Sequence, residues 1–176
     1  MPVPPPDRTS QGTPWVASRS RSVRRIEAAR LTKDLLAELG LESFCKTSGG
    51  KGFHVIVPLV KQAGWDEMKD FSQAVAQHMA STLPKLFSAK MGMQNRKGKI
   101  FIDYLRNGRG ATAIVAYSTR ARPGAAVSTP VDWGELGPKL APDKFTVLNI
   151  ARRLGALKKD PWAGIDKVKQ SLPKLK

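Results

Sequence analysis

KTSGGKGFHVIVPL, residues 46–59, sets three glycines and two lysines between two segments that read as extended chain. β-Branched and aromatic residues dominate "SFCKTS" on one side and "FHVIVPL" on the other, which predicts strands, with Pro58 closing the second. A phosphate loop of the G-x-x-x-x-G-K-[ST] type must open a helix, so that helix-terminal amides face the phosphates. Here the glycines run into a strand. Two readings stay open. One is a flexible hairpin connection, for which glycine and serine are ordinary turn residues. The other is an anion site made of a nest of backbone amides and helped by Ser48, Lys51 and His54. In the second, Gly49, Gly50 and Gly52 let the backbone approach a ligand, the Lys51 ammonium supplies charge and the Ser48 hydroxyl donates a hydrogen bond.

Outward from this stretch, helices and strands alternate without an internal repeat. Upstream, Ile26, Ala29, Leu31, Leu35, Leu36 and Leu39 recur at helical spacing, and Gly40 is a left-handed stop. Downstream, Asp66 and Glu67 open a second helix, with Trp65, Met68, Phe71, Val75, Met79 and Leu83 as its buried stripe and Pro84 as its end. "KGKIFIDYL" and "ATAIVAY" then flank "RNGRG", where Asn107-Gly108 predicts a tight antiparallel hairpin. "STRARPGAAVSTP" reads as a long basic loop with a Pro123-Gly124 turn, "VDWGEL" as a short turn, and "FTVLNIARRL" as a last helix. The expectation is an α+β fold, a mostly antiparallel sheet with flanking helices. Residues 1–22, rich in Pro, Ser, Thr and Arg, have little to bury and are expected to be disordered; residues 23–163 form the domain, and 164–176 a frayed basic tail.

At 176 residues, one domain is the prior. Thirty Lys and Arg against 14 Asp and Glu give a formal charge of +16, which favours a polyanion partner, nucleic acid or nucleotide. Cys45 is the only cysteine, so no internal disulfide forms, and with just His54 and His78 beside it a Cys/His zinc site is excluded. No apolar run approaches a membrane span or a signal peptide, so a cytoplasmic protein is expected.

Asp103 lies within "IFIDYL", where a charge is costly unless it faces solvent or a partner, and alternation puts it on one face with Phe101 and Leu105. It is either a solvent-facing acid on an edge strand or a carboxylate that holds Mg²⁺ or Mn²⁺ through oxygen. Arg96 precedes it, and Arg120 and Arg122 follow the next strand; arginine forks suit phosphate oxygens. Of the tryptophans, Trp65 is expected in the core and Trp15, Trp133 and Trp162 in local packing.

Together "KTSGGKGFHVIVPL", "RKGKIFIDYLRNGRGATAIVAYSTRARPGAAVSTPVDWGEL" and "DPWA" closely resemble the polymerase domain of bacterial ligase D, of the archaeo-eukaryotic primase superfamily, from about Ile26 to Ala163. The resemblance implies addition of ribo- or deoxyribonucleotides to DNA 3′ ends in non-homologous end joining, with Mn²⁺ or Mg²⁺ as the metal. It makes Ser48, Gly49, Gly50, Lys51 and His54 a loop for the nucleoside triphosphate. It makes Asp103 a catalytic metal carboxylate, and Arg96 and Arg120 phosphate contacts.

The family's first motif, an Asp-x-Asp pair, occurs nowhere in these 176 residues, and about half of the domain is expected to be missing on the N-terminal side. Two metals normally neutralise the charge that develops on attacking and leaving oxygens, and one carboxylate is too few to hold both. The expectations are therefore a nucleotidyltransferase impaired alone, whose acids come from a separate chain, or, alternatively, a non-catalytic DNA- or nucleotide-binding module or a gene remnant. No K-x-D-G adenylation motif is present, so end sealing is not expected.

Overall fold

The computed structural model describes residues 21–173. The expectation of disorder over 1–20, and Trp15 with it, lies outside the described residues. Arg21 and Ser22 already belong to the first helix, α1 (Arg21–Glu38).

Helix α1 ends as its sequence requires. Gly40 takes φ +75°, its amide bonds the Ala37 carbonyl at 2.9 Å, and the Leu41 amide bonds the Leu36 carbonyl at 2.8 Å. This is a Schellman stop, and it buries Leu41 in the same cluster as Leu36 and Phe71. The helix serves three apolar clusters. Ile26 and Ala29 meet Cys45, Val131 and Leu136, Ala28 meets Met79 and Phe87, and Leu36 closes the third.

The chain then forms β1 (Phe44–Thr47) and β2 (Phe53–Ile56), which pair antiparallel around the glycine loop with Lys46 opposite His54 and Cys45 opposite Val55. On its other edge β1 pairs antiparallel with β5 (Pro130–Val131), giving the sheet order β2-β1-β5. Side chains alternate across a strand, so Cys45 and Val131 face the α1 core while Lys46 and His54 share the opposite face. Helix α2 (Trp65–Thr82) buries Phe71, Ala76 and Met79. It leads into β3 (Phe87–Ser88), which pairs parallel with β4 (Ile100–Phe101). The short α3 (Ile150–Ala156) begins five residues after Phe145, the first residue of the stretch read as a helix.

Four expectations are corrected. The hairpin across Asn107-Gly108 does not form: residues 105–107 make a 3-10 turn and Gly108 has φ −91°, whereas the tight hairpin turn needs positive φ. β4 pairs instead with β3, and 111–115 carry no strand pairing. Trp65 and Leu83, read as part of the buried stripe of α2, are 55% and 39% exposed, because they stand at its first residue and its C-cap, beyond the packed middle of the helix. The basic loop is half interior: Ala126–Val131 are buried and end in β5, and Pro130 is tolerated because β5 is an edge strand. Nor is the described part of the tail frayed. Gln170 donates to the Glu42 and Pro58 carbonyls at 2.9 and 2.8 Å, and Leu172 packs against the Leu36 cluster.

Candidate functional site

The glycine loop is a closed, shaped turn. Its base is tied twice, by the Ser48 amide to the Gly52 carbonyl at 3.0 Å and by the Gly52 amide to the Ser48 hydroxyl oxygen at 3.1 Å. Gly49 adopts φ +61° and its amide bonds the Pro142 carbonyl at 3.0 Å. A Cβ on Gly49 would stand 2.8 Å from Arg120 Cγ and 3.1 Å from the Ala126 carbonyl, so only glycine fits. The amides of Ser48, Gly49 and Gly52 are thus used within the loop and its supports. Among the described residues no hydrogen bond engages those of Gly50 and Lys51. The Ser48 hydroxyl keeps its own proton to donate.

Cations converge on this loop from a segment 70 residues away. The Arg120 amide bonds the Ala126 carbonyl at 2.8 Å, and Thr119 bridges Val127, which fixes the arginine against Gly49. Arg122 Nη1 lies 3.5 Å from where a Gly50 Cβ would be. Lys51 is exposed at the loop tip. His54, half-buried on the face of Lys46, has its pKa pushed down to about 4 by burial and by the charges of Lys46 and Arg120, so it is a neutral imidazole at pH 7. It can donate or accept a hydrogen bond there.

Sequence reasoning missed Lys46 and Ser128. Lys46 is only 2% exposed, yet its ammonium donates to the Ile114 carbonyl and to Ser128 Oγ at 2.9 Å. Ser128 Oγ in turn donates to the Thr47 carbonyl at 2.9 Å. The signal was present in the period of two: a lysine in mid-strand, one residue from buried Cys45 and two from Ser48, belongs to the face of His54.

Asp103 is not in mid-strand. β4 ends at Phe101, and Asp103 follows on the surface, where Oδ1 accepts the Leu105 amide at 3.2 Å and Oδ2 lies 3.6 Å from Arg106 Nε. Its field reaches His54, whose protonated form it favours, so the acid is on the side of the site. The Arg96 guanidinium stacks on Phe101 at 3.9 Å. Among the described residues no group of three or more His, Cys, Asp or Glu could hold a metal ion. One carboxylate beside one neutral imidazole does not make a two-metal centre, so these residues alone do not fit the metal pair.

A cleft of about 480 Å³ opens on the other side of β1, lined by Cys45, Asp132, Lys158 and Asp160 among others. Trp133 and Trp162 donate their indole N–H groups to the Ser43 and Cys45 carbonyls, both at 2.8 Å, so the tryptophans expected in local packing instead join segments 90 and 117 residues apart.

Residues 18–162 match the family described as LigD, primase-polymerase domain. The chain is 52% identical over 141 residues to the multifunctional non-homologous end joining protein LigD of Pseudomonas aeruginosa, an alignment covering 80% of this chain and 17% of that protein. It is 33% identical over 138 residues to the bifunctional non-homologous end joining protein LigD of Bacillus subtilis, covering 78% and 23%. Its fold superposes on the polymerase domain of Mycobacterium tuberculosis ligase D, solved in complex with DNA, with a TM-score of 0.76 and 31% identity. That match covers 83% of this chain and 50% of the solved one, so the chain spans half of that domain and less than a quarter of either curated relative.

Proposed function

Because the chain belongs to the LigD primase-polymerase domain family, we propose that it carries the triphosphate-binding part of a nucleotidyltransferase that extends DNA 3′ ends during end joining. The observation that supports this most is the convergence of Arg120 and Arg122 on a glycine loop that has no room for a Cβ at Gly49. Such a loop lets phosphate oxygens approach the backbone while guanidinium forks and the Lys51 ammonium meet their charge. In the reaction a DNA 3′-hydroxyl attacks the α-phosphate and pyrophosphate leaves. Lys51, Arg120 and Arg122 hold the β- and γ-phosphates and stabilise the charge that grows on the leaving group. The Ser48 hydroxyl and the Gly50 and Lys51 amides complete the polyphosphate contacts, and neutral His54 orients an oxygen by hydrogen bonding.

Asp103 would give one carboxylate toward Mn²⁺ or Mg²⁺, and a separate chain would supply the further acids. The +16 charge provides affinity for the DNA end, and a repair module of this kind works in the cytoplasm. ATP binding tests the reading: Lys51→Ala and Arg120→Ala should each weaken it by about tenfold. Wild-type affinity in both variants sinks it.

A second reading, a non-catalytic module that grips DNA ends or nucleotides, is favoured by the single Asp103 and its surface pairing with Arg106. Primer extension separates the two, since activity that Asp103→Ala abolishes belongs to the first. A background identical in wild type and variant, with DNA affinity falling steeply in salt, belongs to the second.

A further inference from the structure

Lys46 is a charge placed where it costs stability. The side chain is nearly inaccessible, and among the described residues no carboxylate pairs with it. An ammonium carries three N–H donors; two are accounted for, by the Ile114 carbonyl and Ser128 Oγ. Ser128 places its backbone amide 3.3 Å from where a Gly49 Cβ would lie, so the ammonium sits one side chain behind the wall of the glycine loop. Its nearest charged company is positive. Burial, and then Arg120, pull its pKa down to about 8. A buried charge that lacks a counter-ion is destabilising, and apolar replacement of such groups is often neutral or stabilising.

We propose that Lys46 is a buried positioning residue of the polyphosphate site, a counter-charge whose balance is completed when a triphosphate occupies the loop in front of it. The proposal rests on the phosphate-site reading above. It has two parts. Mechanically, Lys46 ties the 114 and 128 segments to β1 and so holds Ser128 against Gly49. Electrostatically, the bound anion favours the charged lysine, so binding takes up a proton wherever the empty site has lost it.

The groups that face Lys46 leave a clear window for the test. His54 on β2 titrates near 4, and Cys45 beside it on β1 and Tyr117 beyond Ile114 titrate near 12; the arginines of this region are Arg106, Arg120 and Arg122. Asp103 acts on His54, and Asp160 and Glu135 act on Tyr117. The probe is metal-free ATP, whose phosphates hold no titrating proton between pH 7.5 and 9.5, with the full chain over that range. Wild-type affinity should fall about tenfold or more across that range, and calorimetry in two buffers at pH 8.5 should show proton uptake on binding.

Lys46→Met should weaken binding about tenfold at pH 7.5, flatten the pH profile and leave the melting temperature near that of wild type. Lys51→Ala should weaken binding but keep the slope, which separates the exposed lysine from the buried one. Proton uptake of zero in the wild type overturns the proposal even if Lys46→Met does not fold. So does an unchanged slope in a folded Lys46→Met. Uptake that accompanies binding of a DNA duplex but not of ATP overturns it too. No ATP binding by the wild type overturns the phosphate-site reading itself, and this inference with it.

Discussion

Two stretches of this chain look alike as sequence and fold differently. Residues 44–56 and 100–117 each place glycines and basic residues between runs of β-formers. The first becomes a hairpin, with β1 and β2 paired over four residues and β1 flanked again by β5. The second does not: Asn107 donates its side-chain amide to the Tyr104 carbonyl at 3.1 Å, Arg106 reaches the Thr112 carbonyl at 2.7 Å, and Val115 is left 69% exposed. Turn chemistry was present in both. What differs is burial, since Cys45, Lys46 and Thr47 are all interior whereas residues 109–113 are all exposed. Strand pairing is specified where a face is buried and is weak where it is not.

The change that should break the contrast most sharply is Gly49→Ala. A Cβ there meets Arg120 Cγ at 2.8 Å and the Ala126 carbonyl at 3.1 Å, and the residue would also keep φ +61°. Left-handed strain and overpacking add to a loss of about 3 kcal/mol in denaturant unfolding. ATP affinity should fall with it, because Arg120 is displaced. A variant as stable as wild type would mean that the close approach of Arg120 to the loop is not held in solution.

Ser128→Ala probes the same region one layer deeper. It removes an acceptor from the Lys46 ammonium and a donor from the Thr47 carbonyl, both buried. Hydrogen bonds to a charged group carry more than neutral ones, and the expected loss is about 2 kcal/mol. Faster amide exchange across 112–116 should accompany it, since Lys46 links that segment to β1 through Ile114.

His54 gives the site a pH signature. Its folded pKa of about 4 lies below the ordinary 6.5, so the unfolded chain binds the extra proton between those values. Stability should therefore be full above about pH 6.5 and decline as pH falls toward 4, and His54→Gln should flatten that part of the profile. A wild-type curve already flat over this range would place His54 in solvent, apart from Lys46 and Arg120.

On the other side of the comparison the effects shrink. Asp103→Asn removes a surface pair at 3.6 Å whose side chains are 60% and 45% exposed, and stability should move by less than about 0.5 kcal/mol. Any loss of primer extension in that variant is then a loss of chemistry, which a melting curve run alongside establishes.

This division also explains what was legible. Helix α1, its Gly40 stop and the β1–β2 pair could be read because each is local: an apolar period, a left-handed glycine, a turn between two strands. The loop residues Ser48, Gly49, Gly50 and Lys51, with Arg120, could be named for the same reason, or through resemblance. β5 was hidden because Pro130 argues against a strand, and only the edge position it takes beside β1 removes that objection. Lys46 was hidden because a lysine in a strand is ordinarily solvated; its burial is set by Ile114 and Ser128, both more than 60 residues away. Pairing over such distances leaves little trace in a local pattern.

Gly108→Ala is the smallest effect and the finest test of the contrast. In a tight Asn-Gly hairpin the glycine needs positive φ, and alanine there costs about 1 kcal/mol. Here Gly108 has φ −91° and ψ 160°, open to any residue, and the nearest atoms to an added Cβ are 3.9 Å away. The substitution should therefore leave the melting temperature unchanged, or raise it slightly by restricting the unfolded chain. A loss of 1 kcal/mol or more would mean that the hairpin forms after all. The 111–117 segment would then compete with β3 for the edge of β4, and the open side of the site would be a second strand arrangement of the same sequence.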